Sequence, residues 1–146
     1  MPSASDSRCR LCLVTPPAYD EAWQITQLYW KDWEASGSMA DYFKFQERWD
    51  RYRLTLLAFM QSWDAILCPV EAAPAGPRNA SGGPGATYTA PHSLVSLPCA
   101  VVRAGTSAEG LPIGVQIVAR PWHDHVALAL ASAVESRLGG WHKPPL

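Results

Sequence analysis

The run from Leu97 to Pro121 constrains this chain most: Leu-Pro-Cys-Ala-Val-Val-Arg-Ala-Gly-Thr-Ser-Ala-Glu-Gly-Leu-Pro-Ile-Gly-Val-Gln-Ile-Val-Ala-Arg-Pro. It reads as two apolar strands joined by a polar, glycine-bearing turn, with a proline bounding each end. In the second strand Ile113, Val115, Ile117 and Ala119 share one face, and Gly114, Gln116 and Val118 share the other. β-Branched residues on both faces predict burial on both sides, as in a sheet covered by helices. Gly114 weakens a strand interior unless something approaches the backbone closely there. Gln116, an amide on a buried strand, must find partners for its donors and its acceptor.

The chain is long enough for a real core, and a strand covered on both faces points to a core that belongs to something larger. A length of 146 residues fits one ordinary domain. Hydrophobic content of 48% with a net charge of -1 predicts a globular chain rather than a disordered one. Near-neutral charge leaves no basic footprint for nucleic acid and no polybasic membrane patch. No apolar run approaches the roughly 18 residues needed to span a bilayer. The Leu11–Val14 patch is too short for a signal-peptide core, so a cytoplasmic address is the default expectation.

Taken in order, residues 1–17 form a loose lead-in, and the remainder, 18–146, is one unit. Thr15-Pro16-Pro17 followed by Asp20 and Glu21 favours a helix start, with a helix running to about Ala35 and stopping at Gly37. Ser38-Met-Ala-Asp41 has the form of a capping box and opens a second helix. Tyr42, Phe45, Trp49, Tyr52, Leu56, Phe59 and Trp63 recur at alternating steps of three and four, an apolar seam that favours packing on a sheet or on neighbouring helices over a coiled coil. Asp64–Cys68 is a short strand ended by Pro69. From 69 to 91 the composition shifts to proline and glycine with almost no charge, a long loop of the kind that is either functional or disordered. After the hairpin, His123-Asp124 cap a helix from about His125 to Leu138 that turns Val126, Leu130, Ala133 and Val134 inward, and Gly139-Gly140 end it.

The polar and sulfur-bearing residues offer few chemical sites. Cys9 and Cys12 form a lone CxxC without the second pair that a zinc site needs, and Cys68 and Cys99 read as small buried hydrophobes within strands. His123 and His125 flank an aspartate, but no third and fourth ligand is evident, so a helix cap is the better reading and no metal or cofactor is expected.

Several pieces in order carry a resemblance: Asp50-Arg51 on a long helix, Asp64-Ala-Ile-Leu-Cys-Pro69, Tyr88-Thr-Ala90, Leu97-Pro98, Gly110-Leu-Pro-Ile-Gly-Val-Gln-Ile-Val118, Arg120-Pro121 and Gly139-Gly-Trp141. From about residue 18 onward the chain resembles the C-terminal portion of amidase-signature hydrolases. The resemblance marks Asp64, Pro69, Pro98, Gly110, Pro112, Gly114 and Gln116 as the matched motif positions, and Tyr88, Thr89 and His92 as a candidate pocket wall. It implies cleavage of a carboxamide by a serine nucleophile, a second serine and a lysine base, the lysine buried enough to accept a proton near neutral pH.

In that family these three groups precede everything matched here. Lys31, Lys44 and Lys143 are placed by the sequence on exposed helix faces or the tail, and Ser81-Gly82-Gly83 lies after the Asp64–Pro69 strand with no partner lysine. No catalytic residue is therefore assigned. The sequence also departs from the family pattern: Ser93 and Ser96 stand where an asparagine and a glycine are usual, Arg103 replaces a proline, and His92 takes an aromatic position.

The expected fold is α/β: a partial mixed sheet of about three strands flanked by helices. The expected function is that of an amidase's C-terminal fragment, supplying sheet core and pocket wall and inactive alone. The expected partners are a small-molecule amide substrate in the intact parent and a complementing N-terminal catalytic segment, or a second copy through uncovered strand edges. A non-catalytic binding or scaffold domain, and one chain of a split amidase, are the alternatives.

Overall fold

The computed structural model describes residues 9–13, 24–25, 38–77 and 88–143. The helix expected over 15–35 lies outside the described residues except for Gln24 and Ile25, which are helical, Ile25 being fully buried. Lys31 and Ser81-Gly82-Gly83 also lie outside them.

A four-stranded mixed sheet organises the described residues. Its strands are β1 (Leu11–Cys12), β2 (Ala65–Pro69), β3 (Cys99–Thr106) and β4 (Pro112–Ala119), in the order β1-β2-β4-β3. β3 and β4 form the antiparallel hairpin expected from the sequence, with Val102 opposite Val115 and a register shift between Arg103 and Gly105. β2 runs antiparallel to β4, placing Cys68 opposite Gln116, and β1 runs parallel to β2. The sheet thus has one strand more than expected. β1 falls in the stretch read as lead-in, where two residues cannot display a period.

What fixes β1 is an acidic clamp at its N-terminal side. The Asp64 carboxylate accepts the Arg10 backbone N–H at 2.9 Å, and the Asp64 N–H donates to the Arg10 carbonyl at 2.9 Å. Arg120, at the end of β4, donates to the other carboxylate oxygen at 3.0 Å, and the Arg10 guanidinium stands 3.7 Å from that same oxygen. One carboxylate therefore joins three neighbouring strands. The Arg10 N–H first, and the two guanidinium charges with it, hold the Asp64 carboxyl below its ordinary range.

Besides the helical pair Gln24–Ile25, the described residues form the helices α1 (Met39–Met60), α2 (Ala90–Val95) and α3 (Asp124–Leu138). α1 begins with the expected capping box, in which the Ser38 side chain accepts from the Asp41 N–H and the Asp41 carboxylate accepts from the Ser38 N–H, each at 3.2 Å. Its seam packs against the sheet, as the alternating spacing predicts. Tyr52, Leu56 and Met60 are buried with Ile66, Cys68 and Val118, while Phe45 and Phe59 pack at the margin and Tyr42 stays 36% exposed.

On the opposite face, Ile117 and Ala119 of β4 and Ala65 of β2 meet Ala127 and Ala131 of α3. The buried line of α3 is thus an alanine line, with Val126 and Leu130 only partly covered beside it. Small side chains bring the helix close, so the larger neighbours splay to the margins. Gly139 ends α3 at φ +83 as expected, a conformation that a Cβ would strain.

Two further expectations need correction. Cys99 is exposed rather than buried, because β3 is the outer strand of the sheet and Cys99 opens it. Burial of β4 on both faces holds only for its C-terminal half. Gln116, Ile117, Val118 and Ala119 are buried, whereas Ile113 is 40% exposed.

Candidate functional site

The exposed half of β4 borders a groove of about 400 Å³. One wall is the segment leaving β2, Val70 to Ala75, and the floor is Val101, Pro112, Ile113 and Gly114 of the hairpin. The lining is aliphatic apart from Glu71, whose carboxylate accepts the N–H of Ala72 at 3.0 Å. Gly114 fits this place for the reason anticipated: a Cβ on it would stand 3.1 Å from Val70 Cγ2 and 3.5 Å from Val101 Cγ1. Its missing side chain lets Val70 lie directly on the strand, with the Val70 N–H reaching the Gly114 carbonyl at 3.4 Å.

Beyond Gly114 on the same face of β4 stands Gln116, 1% exposed and not itself part of the groove lining. Its amide nitrogen donates to the Pro69 carbonyl at 3.0 Å and to the Tyr88 carbonyl at 2.7 Å. The amide oxygen faces the Cys99 thiol, 3.5 Å away. Two carbonyls on one side fix which end of the amide carries the hydrogens. All of the polar capacity that a buried amide must satisfy is met.

α2 lies over this node and is held there from α1. Trp49 Nε1–H donates to the Leu94 carbonyl at 2.6 Å, and the Tyr52 hydroxyl donates to the Pro91 carbonyl at 3.3 Å. Pro91 occupies the first turn of α2, where its missing N–H has no cost. Ser96 ends the helix at φ +56, a left-handed conformation that glycine adopts without strain. Glycine is what the resemblance leads one to expect at this end of the segment.

His92, on α2, turns inward and is 2% exposed, with Nε2 3.8 Å from the buried Cys68 Sγ. Burial pushes its pKa down to about 4, so the imidazole is neutral at pH 7. Although Cys99 is exposed as a residue, its thiol is partly covered beside Gln116, and this desolvation first, and the neighbouring Cys68 second, raise it above its ordinary value. Cys99 is therefore not held as a reactive thiolate.

The remaining motif positions serve the strands around this node. The Pro98 carbonyl accepts the Ala119 N–H at 3.0 Å, and Gly110 turns the hairpin at φ +84. Pro112 opens β4 opposite Thr106, and Asp64 forms the three-strand clamp. Thr89 is the residue preceding α2 and Tyr88 contributes its carbonyl to Gln116, while the groove itself is lined by the 70–75 segment and the hairpin. Arg103, in the place of the family's proline, donates to the Gly140 carbonyl at 3.3 Å and to Thr106 Oγ1, tying β3 to the end of α3.

His123 Nδ1 lies 2.9 Å from the Pro121 carbonyl, and the rings of His123 and His125 stack at 5.6 Å. Among the described residues no group of three or more His, Cys, Asp or Glu side chains converges to hold a metal ion. No described helix is long and apolar enough to cross a membrane. Lys44 is 76% exposed on α1, beside Asp41 at 3.6 Å, and Lys143 is exposed.

Sequence reading did not anticipate Glu71 in the groove, Arg10 and Arg120 on Asp64, or the Cys68–His92 contact. Each depends on residues brought together from separated parts of the chain, with no spacing to reveal them.

The Amidase family model matches residues 19–128. Human fatty-acid amide hydrolase 2 is 44% identical over 57 residues, covering 39% of this chain and 11% of that protein. A glutamyl-tRNA(Gln) amidotransferase chain from Methylocella silvestris is 37% identical over 95 residues, covering 60% of this chain and 19% of that protein. The matched segments are thus a minor part of these relatives' lengths. Among solved structures, an amidase crystal structure superposes with a TM-score of 0.68 at 24% identity, over 84% of this chain and 36% of the other. The corresponding glutamyl-tRNA(Gln) amidotransferase chain from Thermotoga maritima gives 0.65 at 24% identity, over 80% and 27%. These structural likenesses establish the fold.

Proposed function

The chain belongs to the amidase family, and on that premise we propose that it supplies sheet core and substrate-pocket wall to a carboxamide hydrolase whose lysine and serines come from polypeptide outside residues 1–146. The family match across 19–128 carries this reading. What supports it locally is the groove: a wall at Val70–Ala75, aliphatic but for Glu71, lies against Pro112–Gly114 and can shape a cleft, while no lysine or serine stands with Glu71 among the described lining residues. Lys44 is solvated and His92 is sealed beneath α2, so neither is placed as a base for an amide in the groove. Pro69, Pro98, Gly110, Pro112, Gly114 and Gln116 act as framework in this reading, and Asp64 fixes the strand beside them.

Phe43 and Leu54 on α1, Val101 on β3 and Leu128 on α3 are each more than half exposed. The proposal assigns such apolar surface to contact with the rest of the hydrolase. In the absence of that contact, purified 1–146 associates with itself.

Complementation tests the reading. Residues 1–146 are co-expressed with the N-terminal catalytic part of an amidase relative, and hydrolysis of a panel of anilides is followed. Amide cleavage by the pair, absent from either part alone, is the expected result. Cleavage by 1–146 alone overturns the proposal.

A further inference from the structure

We infer that Gln116 is the positioning residue that sets the groove, its one amide group fastening the wall leaving β2 to the turn that enters α2. The inference rests on the groove belonging to the pocket, but its geometry stands independently. Pro69 and Tyr88 lie 19 positions apart in the chain (88 minus 69), and neither carbonyl is part of the same hydrogen-bonded ladder as the other. The same NH2 group reaches both, at 3.0 and 2.7 Å. Val70 follows immediately on one side and lines the groove; Thr89 and α2 follow on the other.

Only a primary amide meets the requirement. Two carbonyls on one side demand two N–H donors from one atom, and the far side offers a thiol that needs an acceptor. A leucine of similar size supplies neither donor. A glutamate of the same shape, when ionised, points an anionic oxygen at two carbonyl oxygens; when protonated it regains one O–H donor. Burial among carbonyls disfavours the carboxylate, so this recovery occurs on modest acidification.

The Cys68–His92 contact lies beside the clasp, on the neighbouring strand and on α2. Loosening the Tyr88 side frees the turn that enters α2 and leaves that helix tied only from α1, through Trp49 and Tyr52, among the bonds described above, while α3 packs on the opposite face and is untouched. The consequence is local and has a direction.

The test is hydrogen–deuterium exchange by mass spectrometry on 1–146 and on the Gln116→Glu and Gln116→Leu variants, without any activity readout. At pH 8 the segments 66–77 and 88–96 exchange about tenfold faster in both variants than in the parent chain, while α3 is unchanged. On lowering the pH to 5, with rates corrected for intrinsic exchange, all three chains lose protection through His92, and Gln116→Glu regains protection relative to Gln116→Leu. Equal exchange in variant and parent overturns the inference. So does acceleration spread evenly over the whole chain, or a Gln116→Glu effect that ignores pH. Failure of complementation with intact Gln116 protection would instead count against the proposed function, so the two readings fail separately.

Discussion

His92 makes the stability of this chain depend on pH in a way that can be separated from general acid unfolding. The imidazole is 2% exposed beneath α2, against Cys68, and its pKa falls from 6.5 to about 4. An unfolded chain takes up the proton near 6.5, whereas the folded chain resists until about 4. Between these values the unfolded state binds more protons, so stability is full above about 6.5 and declines as the pH falls toward 4. A gap of about 2.5 pH units at 1.36 kcal/mol each corresponds to about 3 kcal/mol. That is a large share of the 5–15 kcal/mol typical of a domain.

The measurement is urea unfolding at a fixed, low protein concentration from pH 7.5 to 4.5, on the parent chain and on His92→Phe. The parent should lose most of that amount across this range. The variant keeps the bulk of the side chain but cannot titrate, so its stability should be nearly flat. The Asp64 and Glu109 carboxyls are held below their ordinary ranges, so their contribution is lost at lower pH and is common to both proteins. Parallel pH profiles for parent and variant would refute the assignment of this slope to His92.

Ser96→Gly should raise stability by about 1 kcal/mol in the same assay, because glycine holds the φ +56 conformation without a Cβ clash. Leu56→Ala should cost about 3 kcal/mol, since Leu56 is completely buried between α1 and the sheet. Ser38→Ala should cost about 1 kcal/mol by removing the capping box, with circular dichroism showing lost helix at the start of α1.

How much of this was legible in the chain depended on the range over which each signal acts. The Ser38–Asp41 cap, the α1 seam, the β3–β4 hairpin and the Gly139 stop are written in neighbouring residues, and each took the form expected. The partners of Gln116 were required by the chemistry of a buried amide, although their identity was not readable. β1 escaped notice because Leu11 and Cys12 become a strand only through Asp64, more than fifty residues away. α2 escaped because six residues after a Pro/Gly-rich stretch carry no period, and Pro91 alone is a weak start signal. The exposure of Cys99 follows from strand order, which a local alternation of apolar residues does not specify. The groove likewise arises where the β2 exit meets the hairpin, and only Gly114 hinted at that approach.

The central claim is that the reacting groups of the hydrolase are not carried by these 146 residues. Treating purified 1–146 with a fluorophosphonate, which reacts with activated serine hydroxyls, and mapping adducts by mass spectrometry tests this directly. The account predicts no serine labelled above a heat-denatured control. A single serine labelled stoichiometrically, and protected by a carboxamide substrate, would contradict it.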